Sequence, residues 1–172
     1  MNKKQEFSVL GPFRVPFDEG KAAKVVAARH GVTFWKAHLS VATRRGCYVF
    51  GIRAGGGATP WYVGKATKSF KQETFTPHKL SKYAEALANS LKGTPIMYLI
   101  AVEKRKGPVP KASIDEVEEF LIQVGVAANP ELLNVKGTKK ATWSIRGVVR
   151  TKGKPSKAAS DFKRIMKLTT PK

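Results

Sequence analysis

Tyr48 and Tyr62 are the residues whose setting first suggests chemistry in this chain of 172 residues. They lie in two short apolar runs, Cys47-Tyr48-Val49-Phe50 with Ile52 and Trp61-Tyr62-Val63, separated by a loop that holds Gly55, Gly56, Gly57 and Pro60. Runs of this kind around a glycine-rich loop predict a β-hairpin with a long turn. Aromatic residues also suit a pleated, half-buried surface, so packing and chemistry are both open readings of the two phenols. Other chemistries are easier to set aside. The single cysteine, Cys47, excludes an intrachain disulfide and any Cys-x-x-Cys zinc site, and His30, His38 and His78 fall at no metal-ligand spacing. Gly57 to Lys65 falls short of a phosphate-binding loop, which requires glycine at Thr59 and a hydroxyl at Ala66, so no nucleotide cofactor is expected.

Gly46-Cys47-Tyr48 followed one hairpin later by Tyr62-Val63-Gly64 and Lys65 resembles the two signatures of the GIY-YIG nuclease family. Two later segments extend the likeness. Glu118-Glu119-Phe120-Leu121-Ile122 looks like the helix in which that family carries a metal-binding glutamate, and Asn129-Pro130-Glu131-Leu132-Leu133-Asn134 is similar to its closing segment, which ends in a functional asparagine. The resemblance spans residues 46 to 137 and implies an α/β domain with a small, mainly antiparallel three-stranded sheet flanked by helices. It also implies hydrolysis of phosphodiester bonds with one Mg²⁺ or Mn²⁺. Glu118 would hold the ion, Tyr62 or Tyr48 would assist the attacking water, Lys65 would supply a nearby cation, and Asn134 would order the site. A cation is wanted because a phenol with a pKa of about 10 is an inefficient base by itself. The family's arginine at the start of the long helix is missing, since Gln72 or Glu73 stands in its place and neither can clamp phosphate as a guanidinium does. Lys71, Lys79 and Lys82 are the candidate replacements. The implied activity is a metal-dependent endonuclease, and the alternative is a catalytically weak or inactive module that binds nucleic acid.

Charge points to the same class of partner by a separate route. The chain has 32 basic and 12 acidic residues, a net charge of +20, and such an imbalance on a foldable sequence favours a polyanion. Residues 1–45 carry net +6, residues 46–137 net +4 and residues 138–172 net +10, so half of the excess lies in the last 35 residues, outside the nuclease-like stretch. Phosphate neutralisation carries no sequence preference, and the expected contacts are Arg44, Arg45, Lys139, Lys140, Arg146, Arg150, Lys152 and Lys154. DNA is expected in preference to RNA. The tail has no large contiguous apolar face to lie in a lipid surface, no apolar run approaches the roughly 18 residues of a membrane span, and the first residues lack the apolar segment of a secretory signal. A cytoplasmic protein without a membrane partner is the expectation.

These residues need elements to place them. The chain fits one domain, 46–137, with an N-terminal arm and helical extension (1–45) and a basic C-terminal extension (138–172). Phe7 to Phe17 alternates apolar and polar but holds Gly11, Pro12 and Pro16, which predicts an edge strand or extended arm. Asp18 and Glu19 predict the start of a helix through Arg29 that stops near Gly31, with a second helix over Phe34 to Val41. Pro77, with Thr76 as cap, predicts a helix to Leu91 whose buried stripe is Leu80, Tyr83, Ala84, Leu87 and Leu91. Ile96 to Val102 predicts a strand buried on both faces. Ser113 and Glu116 predict a capping box for a helix from Ile114 to Gly125, with Val117, Phe120, Leu121 and Val124 on its apolar face. Trp143 to Arg150 is read as a further strand or packed segment, and Ser156 to Leu168 as a basic helix.

Overall fold

Phe7–Arg14 forms the first strand, β1, in the computed structural model, which describes residues 5–90, 92–103, 107–108, 110–137, 145–148 and 153–166, with backbone alone at 163 and 164. Two short strands follow, β2 (Asp18–Glu19) and β3 (Lys24–Val25), then helices α1 (Ala28–Ala37) and α2 (Leu39–Ala42). The predicted hairpin is β4 (Gly46–Ala54) and β5 (Gly57–Ala66). After it come α3 (Phe70–Glu73), α4 (Pro77–Asn89), strand β6 (Thr94–Val102) and the long helix α5 (Lys111–Ala128). A second unit, Lys139–Lys172, carries α6 (Lys157–Ile165).

The main sheet has four strands in the order β1-β6-β4-β5, every pair antiparallel, where three were expected. The fourth is β1, the segment read as an edge strand or an arm. It pairs with β6 from Phe7↔Val102 to Arg14↔Ile96, with an irregularity between Leu10 and Phe13 that absorbs Gly11 and Pro12. Its pairing also covers a strand that would otherwise leave a long apolar edge open. The hairpin turn is shorter than expected. Ala54 pairs with Gly57, so Gly57 to Pro60 belong to β5 and only Gly55 and Gly56 make the turn.

Alternation along the strands sorts the core into two faces. Tyr48, Phe50, Ile52, Tyr62, Met97 and Leu99 pack with Phe34 and Trp35 of α1 and with Tyr83 and Leu87 of α4. On the opposite face Cys47, Ile100 and Val102 meet Ile114 of α5, and Val63 meets Ile122 and Leu132. The helices therefore lie on both sides of the sheet.

Several boundaries depart from the expectation for identifiable reasons. The helix predicted through residues 18–29 is instead the small β2–β3 hairpin, closed by a Gly20 N–H bond to the Ala23 carbonyl at 3.1 Å. Helix α1 begins at Ala28 and passes through Gly31, because the Phe75 ring packs where a side chain at 31 would stand. Helix α5 starts three residues early, capped at Pro110 whose carbonyl accepts from Ile114 N–H, so the Ser113–Glu116 box is not used. Its buried face is also rotated: Ile114, Ile122 and Gly125 are covered, whereas Phe120 (64% exposed) and Val124 face outward. On α4 the buried residues are Tyr83, Ala86 and Leu87, and Ala84 is exposed. In the second unit Ser156 caps α6 through its hydroxyl, Ala159 is buried, and Phe162, Ile165 and Met166 are exposed. The expected packing of Leu91, Trp143 and Val149, and the expected end of the last helix at Leu168, lie outside the described residues.

Candidate active site

The two glycines nearest the tyrosines explain the local sequence. Tyr48 pairs with Gly64 across β4 and β5, and a Cβ at Gly64 would stand 2.5 Å from the Tyr48 hydroxyl, so the phenol ring fits only over a glycine. Gly46 adopts φ +146°, and a Cβ there would meet the Ile100 carbonyl of β6 at 2.0 Å. The motif is thus a packing device before it is anything else. Its result is that Tyr48 is fully buried, with its ring 6.3 Å from that of Tyr62. Its hydroxyl faces that of Tyr83 without a well-formed hydrogen bond, and burial, reinforced by Tyr83 and Tyr62, holds its pKa well above the ordinary range. Tyr48 stays protonated and packs beside Tyr62 without lining the cleft that Tyr62 borders.

A cleft of about 340 Å³ opens at the outer edge of β5, and Tyr62, Lys65, His78, Lys82, Glu118 and Asn134 line it. Being the last strand of the sheet, β5 lets side chains from both faces meet at its rim. Lys65 reaches toward α5 and stands 2.8 Å from both Glu118 Oε2 and Asp115 Oδ1. The two carboxylates, Asp115 foremost, push the lysine pKa up, and Lys65 in turn holds Asp115 below the usual carboxylate range. From α4, Lys79 donates to the Tyr62 hydroxyl at 2.5 Å and lies 4.9 Å from the ring centre. That bond occupies the phenol oxygen and leaves its own proton to be directed at an oxygen in the cleft. Lys82 lines the wall while holding Glu85 at 3.1 Å.

Asn134 acts as a main-chain mimic. Its Oδ1 accepts from Val63 N–H at 2.9 Å and its Nδ2 donates to the Val63 carbonyl at 2.7 Å. Leu133 N–H bonds the Trp61 carbonyl at 2.9 Å, and Asn129 Nδ2 the Pro60 carbonyl at 2.8 Å. The segment from Asn129 to Asn134 therefore closes the free edge of β5 as a substitute strand, and by holding Val63 it fixes the stretch that runs from Tyr62 to Lys65. The amide is spent on this task.

Some expected groups lie elsewhere. Gln72 and Glu73 cap α3: Gln72 accepts from the Ser69 hydroxyl at 3.0 Å, and Glu73 accepts from Lys68 N–H at 2.5 Å. Lys71 is exposed and does not line the cleft. Arg44 is 10% exposed, with its guanidinium on the Val102 carbonyl at 3.0 Å and Glu103 at 4.0 Å, so it ties the strand ends together. Arg45 is half-buried beside it. Arg146 and Lys154 are exposed in the second unit, whereas Lys139, Lys140, Arg150 and Lys152 lie outside the described residues. Cys47 donates to the Ile114 carbonyl at 3.3 Å, and burial pushes its thiol up to about 12, which removes it as a nucleophile.

Two residues of the site went unread in the sequence, Asp115 and His78. The signal for Asp115 was its i, i+3 spacing to Glu118 within the helix expected from Ile114. His78 follows Pro77 in the first turn of α4, one residue before Lys79. For a divalent ion the chemistry is suitable: carboxylate oxygens are the donors that Mg²⁺ and Mn²⁺ take, and the Lys65 ammonium already stands as a cation between two of them. Among the described residues no three His, Cys, Asp or Glu side chains form a metal-holding group, so at most two side chains of these types would hold the ion. Among the same residues no helix is long and apolar enough to cross a membrane. Compared with known proteins, the chain matches no family model, no curated protein and no solved structure.

Proposed function

We propose that this protein is a divalent-metal-dependent endonuclease of GIY-YIG type that hydrolyses phosphodiester bonds, in DNA by preference. The observation that carries the reading is convergence: Tyr62, Lys65, Glu118 and Asn134, drawn from a strand, a helix and a closing segment far apart in the chain, meet in or around one cleft walled by lysines. Phosphoryl transfer asks for positioning and for positive charge opposite the developing negative charge, and this arrangement offers both. Tyr62, oriented by Lys79, is placed to hold an attacking water or a phosphate oxygen. Lys82 supplies the charge that Gln72 and Glu73 do not, and His78 is within the same wall. Glu118 would hold the ion, which when bound supplies Lewis-acid activation of the phosphate. The net charge of +20 supplies non-specific affinity for the polyanion.

Nicking of supercoiled plasmid DNA by the full chain, with Mg²⁺ or Mn²⁺ and with EDTA, tests the reading. The expected result is metal-dependent nicking by the wild type, none with EDTA and none by Glu118→Ala. A silent wild type that still retards DNA in a gel would leave the second reading, a nucleic-acid-binding module without activity. That reading draws on Lys65 being engaged by two carboxylates and on Gln72 and Glu73 being bonded within the cap of α3 and not lining the cleft.

A further inference from the structure

Asp115 has no place in the motif that led to the cleft, yet its carboxylate is as close to Lys65 as that of Glu118 is, 2.8 Å in each case. Its Oδ1 is enclosed, and what faces it is the Lys65 ammonium. A covered carboxylate oxygen is costly unless a cation compensates it. Asp115 and Glu118 sit three residues apart on α5, so their carboxylates share one side of the helix and converge on a single point. Lys65, on the edge strand opposite, occupies that point.

We propose that Asp115 and Glu118 together form the divalent-cation site, and that Lys65 is its resident cation in the free protein, which Mg²⁺ or Mn²⁺ enters by displacing. The purpose of the site rests on the nuclease reading above, but its existence does not. Lys65 compensates the carboxylate pair while no ion is bound, so the cleft carries no uncompensated negative charge that would repel a phosphate backbone. On displacement the ammonium is released on the cleft side, where it adds to Lys82. The remaining coordination positions of an ion held by two carboxylates are left to water and substrate oxygens, as Mg²⁺ commonly requires.

The test is Mn²⁺ binding to the full chain without nucleic acid, followed by the paramagnetic signal of free Mn²⁺ and by calorimetry. Removing the competitor in Lys65→Met should tighten binding by about two- to fivefold, the scale of one partly exposed ion pair. Asp115→Asn should weaken binding by a similar factor, as should Glu118→Gln. Lys68→Met, which removes an exposed charge outside the cleft, should change binding less than twofold. Thermal melts of each variant exclude unfolding as the cause. Equal affinity in wild type and Lys65→Met, or in wild type and Asp115→Asn, overturns the proposal. Tighter Mn²⁺ binding by Lys65→Met with no cleavage by any variant would keep this site and remove the nuclease; cleavage with unaltered Mn²⁺ affinities would do the reverse.

Discussion

At the scale of single residues, the cleft separates side chains that hold the fold from side chains free to react. Asn134 belongs to the first kind, since both ends of its amide bond the main chain of Val63. Two half-buried hydrogen bonds contribute about 1–3 kcal/mol together, so Asn134→Ala should lower stability by that amount in chemical denaturation. Glu118 belongs to the second kind. Its partner Lys65 keeps Asp115, and a partly exposed pair contributes about 1 kcal/mol or less, so Glu118→Ala should abolish cleavage with little change in melting. Glu119 is exposed one residue away, and its alanine variant should cleave normally; equal loss from both would remove Glu118 as the metal ligand. Lys79 and Lys82 test the missing arginine. Losing a cation that stabilises the transition state costs about 10²- to 10³-fold in rate, so Lys82→Ala should slow single-turnover cleavage on that scale while Lys71→Ala changes it little.

At the scale of elements, the N-terminus of α1 shows how a histidine can stand in for a capping carboxylate. His30 Nδ1 accepts from Ala27 N–H at 2.8 Å, which requires that nitrogen to be unprotonated, and Nε2 faces Asp18 Oδ1 at 3.1 Å. Asp18 also pairs with Arg29. The carboxylate by itself would favour the imidazolium, but burial and the neighbouring Arg29 hold the His30 pKa below its ordinary value of 6.5. Because the folded value is below the unfolded one, the contribution to stability is complete above pH 6.5 and is lost as pH falls through the folded value. Stability measured from pH 7.5 to pH 5 should therefore fall below about pH 6.5. His38, whose ring packs tilted against Phe13 and edge-on against Phe34 and whose pKa is also depressed by burial, adds to the same slope. His30→Gln supplies a capping oxygen that does not titrate, so it should retain neutral-pH stability and reduce the slope, whereas His30→Ala should cost about 1 kcal/mol at pH 7.5. An unchanged slope in His30→Gln would show that the acid loss arises elsewhere.

At the scale of the whole molecule, charge is distributed unlike structure. The unit Met1–Thr138 holds the sheet and the cleft, while residues 138–172 carry 11 basic residues and 1 acidic. If that tail meets phosphates, its removal should weaken binding to unrelated DNA sequences alike and lower the slope of log affinity against log salt by about 0.9 for each phosphate that is no longer neutralised. Truncations after Gly137 and after Arg150 divide the contribution. An unchanged salt slope in both would place the phosphate-binding groups on the first unit, at the lysines of α4.

What the sequence determined by itself was local and periodic. The hairpin from Gly46 to Ala66, the strand ending at Val102 and the helices beginning at Pro77 and near Ile114 were legible because alternation, a helical repeat and a proline at a first turn are signals within a dozen residues. The surplus of charge needed only counting. Tertiary structure decided the rest. It recruited Phe7–Arg14 as a fourth strand because β6 had an open edge, it turned residues 18–25 into a hairpin, and it packed Phe75, far along the chain, on Gly31 inside the helix that follows. It buried Tyr48 under Gly64 and left Tyr62 at the rim, a distinction between two tyrosines with like neighbours that only the edge of the sheet could make. It also set Asp115 against Lys65, 50 residues apart in sequence, since no local rule says which face of a helix an edge strand will meet.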